Sequence, residues 1–60
     1  MNTVVQYRIY FKPSAGDEQL IFETDSKDRA IYGADLNFSN LTEEGQVYVK
    51  YADEIIHTAS

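Results

Sequence analysis

The chain has 60 residues, with ten acids and five bases for a net charge of −5, a single histidine, and no cysteine or tryptophan. A domain of this size buries only about 60% of the surface its unfolded chain exposes. With no Cys and only His57, neither a disulfide framework nor a zinc or iron–sulfur site is available to make up the difference. The sequence is read as one small domain, residues 1–60, too short for a nucleotide fold with its own substrate pocket. Its 43% hydrophobic and 13% aromatic content marks it as folded, since disordered chains lack aromatics and β-branched residues.

In chain order, the first element is a strand over Val4–Lys12. Thr3, Val5, Tyr7, Ile9 and Phe11 alternate with Val4, Gln6, Arg8, Tyr10 and Lys12, so one face is apolar and the other mostly polar. Such a pattern predicts a sheet covered on one side only. Pro13 ends the strand, and Pro13-Ser14-Ala15-Gly16-Asp17 reads as a hairpin loop with Gly16 available for positive φ. A second strand, Glu18 to Thr24, pairs antiparallel with the first. Leu20 and Phe22 are expected in the core, with Gln19, Ile21 and Glu23 outside.

Thr24, Asp25 and Ser26 are good helix N-caps, and Asp28 sits in the first turn, where the dipole favours negative charge. Ile31, Ala34, Phe38 and Leu41 then form one helical stripe, bordered by Ala30. A competing reading ends a short helix at Tyr32 with Gly33 as C-cap and makes residues 34–39 a strand, because Asn37, Ser39 and Asn40 are weak helix formers. The favoured reading is a helix from Ser26 to Phe38. A polar loop, Asn40–Gly45, leads to a third strand, Gln46–Tyr51, with Val47, Val49 and Tyr51 inward and Gln46, Tyr48 and Lys50 outward. Ala52-Asp53-Glu54 is a tight turn before a short final strand or docked tail, Ile55–Thr58. The order ββαββ, with one helix on one face of an antiparallel sheet, is a two-layer α+β fold.

The residues argue against catalysis. His57 is the only imidazole, the three glycines are isolated, and the carboxylate pairs sit on loops without the unequal burial that splits two pKa values. The acids do not match the spacing of a calcium loop. The triplets Asn37-Phe38-Ser39 and Asn40-Leu41-Thr42 are glycan acceptors only in a secreted eukaryotic protein, and no signal-peptide pattern or apolar membrane-spanning run is visible. The expectation is therefore a non-enzyme without cofactor or metal, in a reducing cytoplasm.

The charges are sided. The pairs Asp17-Glu18, Glu43-Glu44 and Asp53-Glu54 fall at turns, and Asp25, Asp28 and Asp35 on or near the helix. Arg8, Lys12 and Lys50 share the outer face of the strands with Tyr10 and Tyr48. An acidic rim on a rigid scaffold can occupy a basic groove built for nucleic acid. The basic, tyrosine-bearing face suggests instead a platform that stacks bases, although a net charge of −5 opposes phosphate. A third reading is an interaction module, structural or regulatory, that pairs as a homodimer or through a strand edge, its acids serving solubility alone.

In its acidic pairs and its tyrosine-bearing strands Val4–Lys12 and Gln46–Tyr51, the chain resembles small phage-encoded inhibitors, including anti-CRISPR proteins and DNA mimics. The resemblance spans the whole chain as a profile of size, charge and element order, with no shared motif. It implies a stoichiometric blocker in the host cytoplasm, monomer or homodimer, that covers the DNA-binding surface of a CRISPR effector or another nucleic-acid-processing protein. The partner-binding residues are expected to be Asp17, Glu18, Glu43, Glu44, Asp53 and Glu54, with Tyr10 and Tyr48 as aromatic anchors.

Overall fold

A computed structural model of the chain describes residues 6–59. Its elements are β1 (Tyr7–Pro13), β2 (Gln19–Thr24), α1 (Lys27–Ser39), β3 (Gly45–Tyr51) and β4 (Glu54–Thr58). The four strands form one antiparallel sheet in the order β2-β1-β3-β4. This is the α+β, ββαββ architecture expected from the sequence. The part of the first predicted strand that holds Thr3, Val4 and Val5 lies outside the described residues.

The alternation in β1 and β3 is used as the pattern predicts. Ile9 pairs with Val49 and Phe11 with Val47 on one face, while Arg8 pairs with Lys50 and Tyr10 with Tyr48 on the other. Ile9, Val47 and Val49 are fully buried and pack with Phe11, Ala30, Ala34 and Ala59. Each large aliphatic side chain so buried contributes about 1.5–3 kcal/mol. The helix meets this face with small residues, which lets its backbone come close. At Gly33 even a Cβ would stand 3.1 Å from Ile9 Cδ1. Tyr7 and Tyr51 stack with ring centroids 4.3 Å apart and close one end of the core. Gly45 begins β3 against the Phe11 ring. A Cβ there would lie 2.5 Å from Phe11 Cε1 and 2.7 Å from the Lys12 carbonyl, so only glycine fits without displacement.

The helix resolves the ambiguity at residues 34–39 in favour of continuation. Ser26 is the N-cap, and its side chain accepts from the Arg29 N–H at 3.3 Å. The weak helix formers near the C-terminus bond back to the preceding turn. Asn37 Nδ2 donates to the Gly33 carbonyl at 2.7 Å, Ser39 Oγ to Asp35 at 2.9 Å and Asn40 Nδ2 to Leu36 at 3.1 Å. Each is a second bond to a carbonyl one turn back, so these side chains satisfy their own polar groups on the helix instead of drawing the backbone out of it.

Both edge strands differ from a simple alternation. In β2 the partners step from Ile9–Phe22 to Tyr10–Leu20, which leaves Ile21 as the extra residue of a β-bulge. Phe22 therefore shares the core face with Ile9, but Leu20 is carried to the outer face opposite Tyr10, and Gln19 to the core face opposite Phe11. The expectation that Leu20 and Phe22 both lie in the core is corrected. Leu20, Ile21 and Phe22 are 49%, 40% and 49% exposed, because β2 is an edge and the helix sits mainly over β1 and β3. A second bulge, with Ile56 as the extra residue, lies between the Val49–His57 and Lys50–Ile55 pairs of β3 and β4.

The tight turns also differ from expectation. No described glycine, Gly16 included, has a positive φ. The positive values fall on Ala52 (52°) and Asp53 (67°), the two residues linking the Tyr51–Glu54 pair. Positive φ at both central residues is the mark of a type I′ hairpin, a position that favours Asn-Gly and disfavours Ala.

Two outcomes follow from these contacts. Ile9→Ala is expected to lower the unfolding free energy in urea by about 2–5 kcal/mol, a large share of the roughly 3–9 kcal/mol typical of 60 residues. Ala52→Asn with Asp53→Gly is expected to raise it by about 1 kcal/mol, seen as a rise of about 4–8 °C in Tm by circular dichroism.

Candidate partner-binding surface

The outer face of the sheet has no helix over it, and side chains from two strands and one loop cover its centre. Tyr10 and Tyr48 face each other across β1 and β3 with ring centroids 6.1 Å apart. Lys50 lies along both rings, its Nζ 5.0 Å from the Tyr10 centroid and 5.8 Å from that of Tyr48. Glu18, from the end of the β1–β2 loop, closes the arrangement, receiving Lys50 Nζ at 2.9 and 3.1 Å. Tyr48, expected as an exposed anchor, is only 5% exposed as a result. It is on the outer face but already covered, whereas Tyr10 is half-buried. Burial pushes the Tyr48 phenol above its usual pKa, and the Glu18 carboxylate beside it acts in the same direction.

The sided charge map changes accordingly. Arg8 Nε donates to Glu23 at 3.0 Å, so two of the three outer-face bases are paired with acids from β2 and its approach. Among the described residues Lys12 makes no ion pair. On this face Tyr48 is covered and Arg8 and Lys50 are ion-paired, while Tyr10 is half-buried. The Lys50 ammonium holds the Glu18 carboxyl below its ordinary value, through their hydrogen bonds first. Glu18 in turn raises Lys50.

The six acids proposed from the sequence do not form one patch. The β1–β2 and α1–β3 loops lie together at one end of the sheet, joined by the Ser14 N–H donating to the Glu44 carbonyl at 3.1 Å and by the Pro13–Gly45 pair. Asp17, Glu18, Glu43 and Glu44 therefore share that end. Asp53 and Glu54 lie at the other, beyond the seven residues of β3, about 20 Å away at ~3.3 Å per residue. Glu43 and Glu44 line an open cleft of about 430 Å³ together with Ser14, Phe38, Leu41 and Gly45. Phe38 and Leu41 pack against the edge of the core, so the cleft has an apolar floor and an acidic lip. The helical stripe places both residues only as core. Their second surface depends on where the α1–β3 loop folds back, which no local pattern reveals.

His57, the lone imidazole, takes a position within the fold. Its Nε2 lies 2.9 Å from Asp35 Oδ1, tying β4 to the helix. Among the described residues no group of three or more His, Cys, Asp or Glu side chains converges as a metal site would. No helix there is long and apolar enough to cross a membrane. Comparison with protein-family models, curated proteins and solved structures gave no match to this chain.

The Glu18–Lys50 contact has a pH signature. Because the folded-state pKa of Glu18 is lowered, its contribution to stability is present above the ordinary glutamate value of 4.5 and is lost as pH falls through the folded value. Lys50→Met is expected to return the Glu18 titration, followed by side-chain NMR, to the ordinary range. It is also expected to flatten the acid limb of the stability curve.

Proposed function

We propose that the chain is a non-enzymatic inhibitor of the phage anti-CRISPR kind, which binds a host nucleic-acid-processing complex and occupies its basic DNA-binding surface. The observation that carries the reading is the cleft at the loop end of the sheet. Phe38 and Leu41 offer an apolar floor, and Glu43 and Glu44, which make no ion pair among the described residues, offer two carboxylates at its lip.

A basic side chain from a nucleic-acid groove has the matching form. Its aliphatic stem rests on apolar surface while its charged head meets carboxylate, and a charge-assisted hydrogen bond is about twice as strong as a neutral one. Asp17 on the neighbouring loop adds a third acid to the same end. The net charge of −5 would speed the encounter with a basic surface. Tyr10, half-buried on the outer face, remains a candidate contact; Tyr48 serves as its support. Asp53 and Glu54, at the opposite end, belong to a separate contact or to solubility.

The test uses purified CRISPR effector complexes and a gel-shift measurement of their target-DNA binding. The wild-type chain is expected to displace DNA from its effector, and Glu43→Lys with Glu44→Lys to weaken that displacement by about tenfold or more. Asp53→Lys with Glu54→Lys is expected to leave it near wild type. If the Glu43/Glu44 variant blocks as well as wild type while remaining folded by circular dichroism, the cleft is not the contact.

A further inference from the structure

We propose that two copies of this chain exchange β4, each laying the strand against β3 of the other, with the turn Ala52-Asp53 as the hinge. Ala52 and Asp53 have φ of 52° and 67°, and they are the only described residues with positive φ. The left-handed region brings Cβ against the following carbonyl, and Ala has no side-chain hydrogen bond to offset that cost. Both strained residues fall in a two-residue link, closed by the Tyr51–Glu54 pair. A short hinge loop under strain is the setting that favours exchange of an element between copies.

The strand beyond the hinge is suited to leave. β4 is an outer edge of the sheet and pairs with β3 alone. It is fastened further by His57 Nε2, 2.9 Å from Asp35 Oδ1, and by the buried Ala59 that follows it, whose N–H donates to the Val47 carbonyl at 2.9 Å. All of these contacts reform when β4 of a second copy takes the place, because that strand carries the same residues in the same register. No new complementary surface is required, and the exchange closes at two chains.

The open hinge also has a geometry available to it. With the turn undone, β3 runs straight into β4, and Tyr51 of one copy faces Glu54 of the other. The same register then sets Ala52 opposite Asp53 of the second copy, both in extended backbone that any residue adopts. Asp53 and Glu54 of the two copies come together near the two-fold axis. Their like charges, with the entropy lost on association, oppose the dimer in dilute solution at low salt. Each copy keeps its Glu43–Glu44 cleft, which lies at the other end of β3 from the hinge, so the inference stands apart from the function proposed for that cleft.

The test begins with wild-type protein at millimolar concentration in high salt, warmed to its Tm and cooled. Size exclusion is expected to separate a second species at twice 6.9 kDa. Because each dimer opens two turns, Ala52→Asn with Asp53→Gly, which suits the turn, is expected to lower the dimerisation constant by at least about tenfold. Exchange is told from simple association by Tyr51→Cys with Glu54→Cys, in a chain that has no other cysteine. Facing Cα atoms about 5.5 Å apart are within disulfide range. Oxidised after separation, the dimer of this variant is expected to be linked between chains and its monomer within one chain. The proposal is overturned if the wild type stays monomeric throughout. It is equally overturned by a dimer whose disulfides close within each chain, or by the Ala52→Asn, Asp53→Gly variant dimerising as readily as wild type.

Discussion

The close seat of α1 on β1 and β3 is the contact on which the other features depend. Ala30, Gly33 and Ala34 keep the helix near the sheet, and Ile9, Val47 and Val49 fill the space beneath it. Sixty residues supply one such layer and no second, and there is no disulfide or converging metal site among the described residues to add to it. The consequence is geometric. One helix covers the two central strands, so the edge strands keep apolar side chains in water and the far face of the sheet has to be covered by other means.

On that far face, Lys50, Tyr10, Tyr48 and Glu18 do what a second helix does in a three-layer protein. The lysine stem and the two rings exclude water from the sheet centre, and the glutamate answers the ammonium. A cation held over aromatic rings and paired with a carboxylate keeps its charge satisfied while its methylene groups are buried. The same contact takes Tyr48 and Lys50 out of use as free recognition groups. It directs attention to the loop end of the sheet, where Glu43 and Glu44 stand over Phe38 and Leu41.

The bulges have a related origin. A strict alternation in β2 would have set Leu20 and Phe22 on one face, with only part of a helix above them. The extra residue at Ile21 places Leu20 beside Tyr10 instead and leaves Phe22 beside Ile9. β4 does the same with Ile56, sending Ile55 to the outer face and His57 to the core side, where it reaches Asp35. The bulge in β2 divides apolar residues between the two faces of the edge, the one in β4 separates Ile55 from His57, and both add local twist.

The sequence by itself determined the order and type of β1, β2 and β3 and the start of the helix, whereas the fold decided that residues 34–39 continue the helix and that the C-terminal segment is a strand. The sequence also determined the two faces of β1 and β3 and narrowed the helix cap to Thr24, Asp25 or Ser26, because these follow from alternation, caps and breakers within a few residues. It marked the acidic turns for the same reason. Only the tertiary structure decided what those residues meet. Glu18 and Lys50 are 32 positions apart, and Arg8 and Glu23 fifteen, so their pairing depends on strand order and register and not on any local pattern. Tyr48 reads as exposed from its place in the alternation and is covered because Tyr10, Lys50 and Glu18 arrive from elsewhere. The six turn acids read as one rim and divide between two ends, since a seven-residue strand separates the loops that carry them. The net charge of −5 was legible from composition alone; which carboxylates remain without a cation beside them was set by the fold.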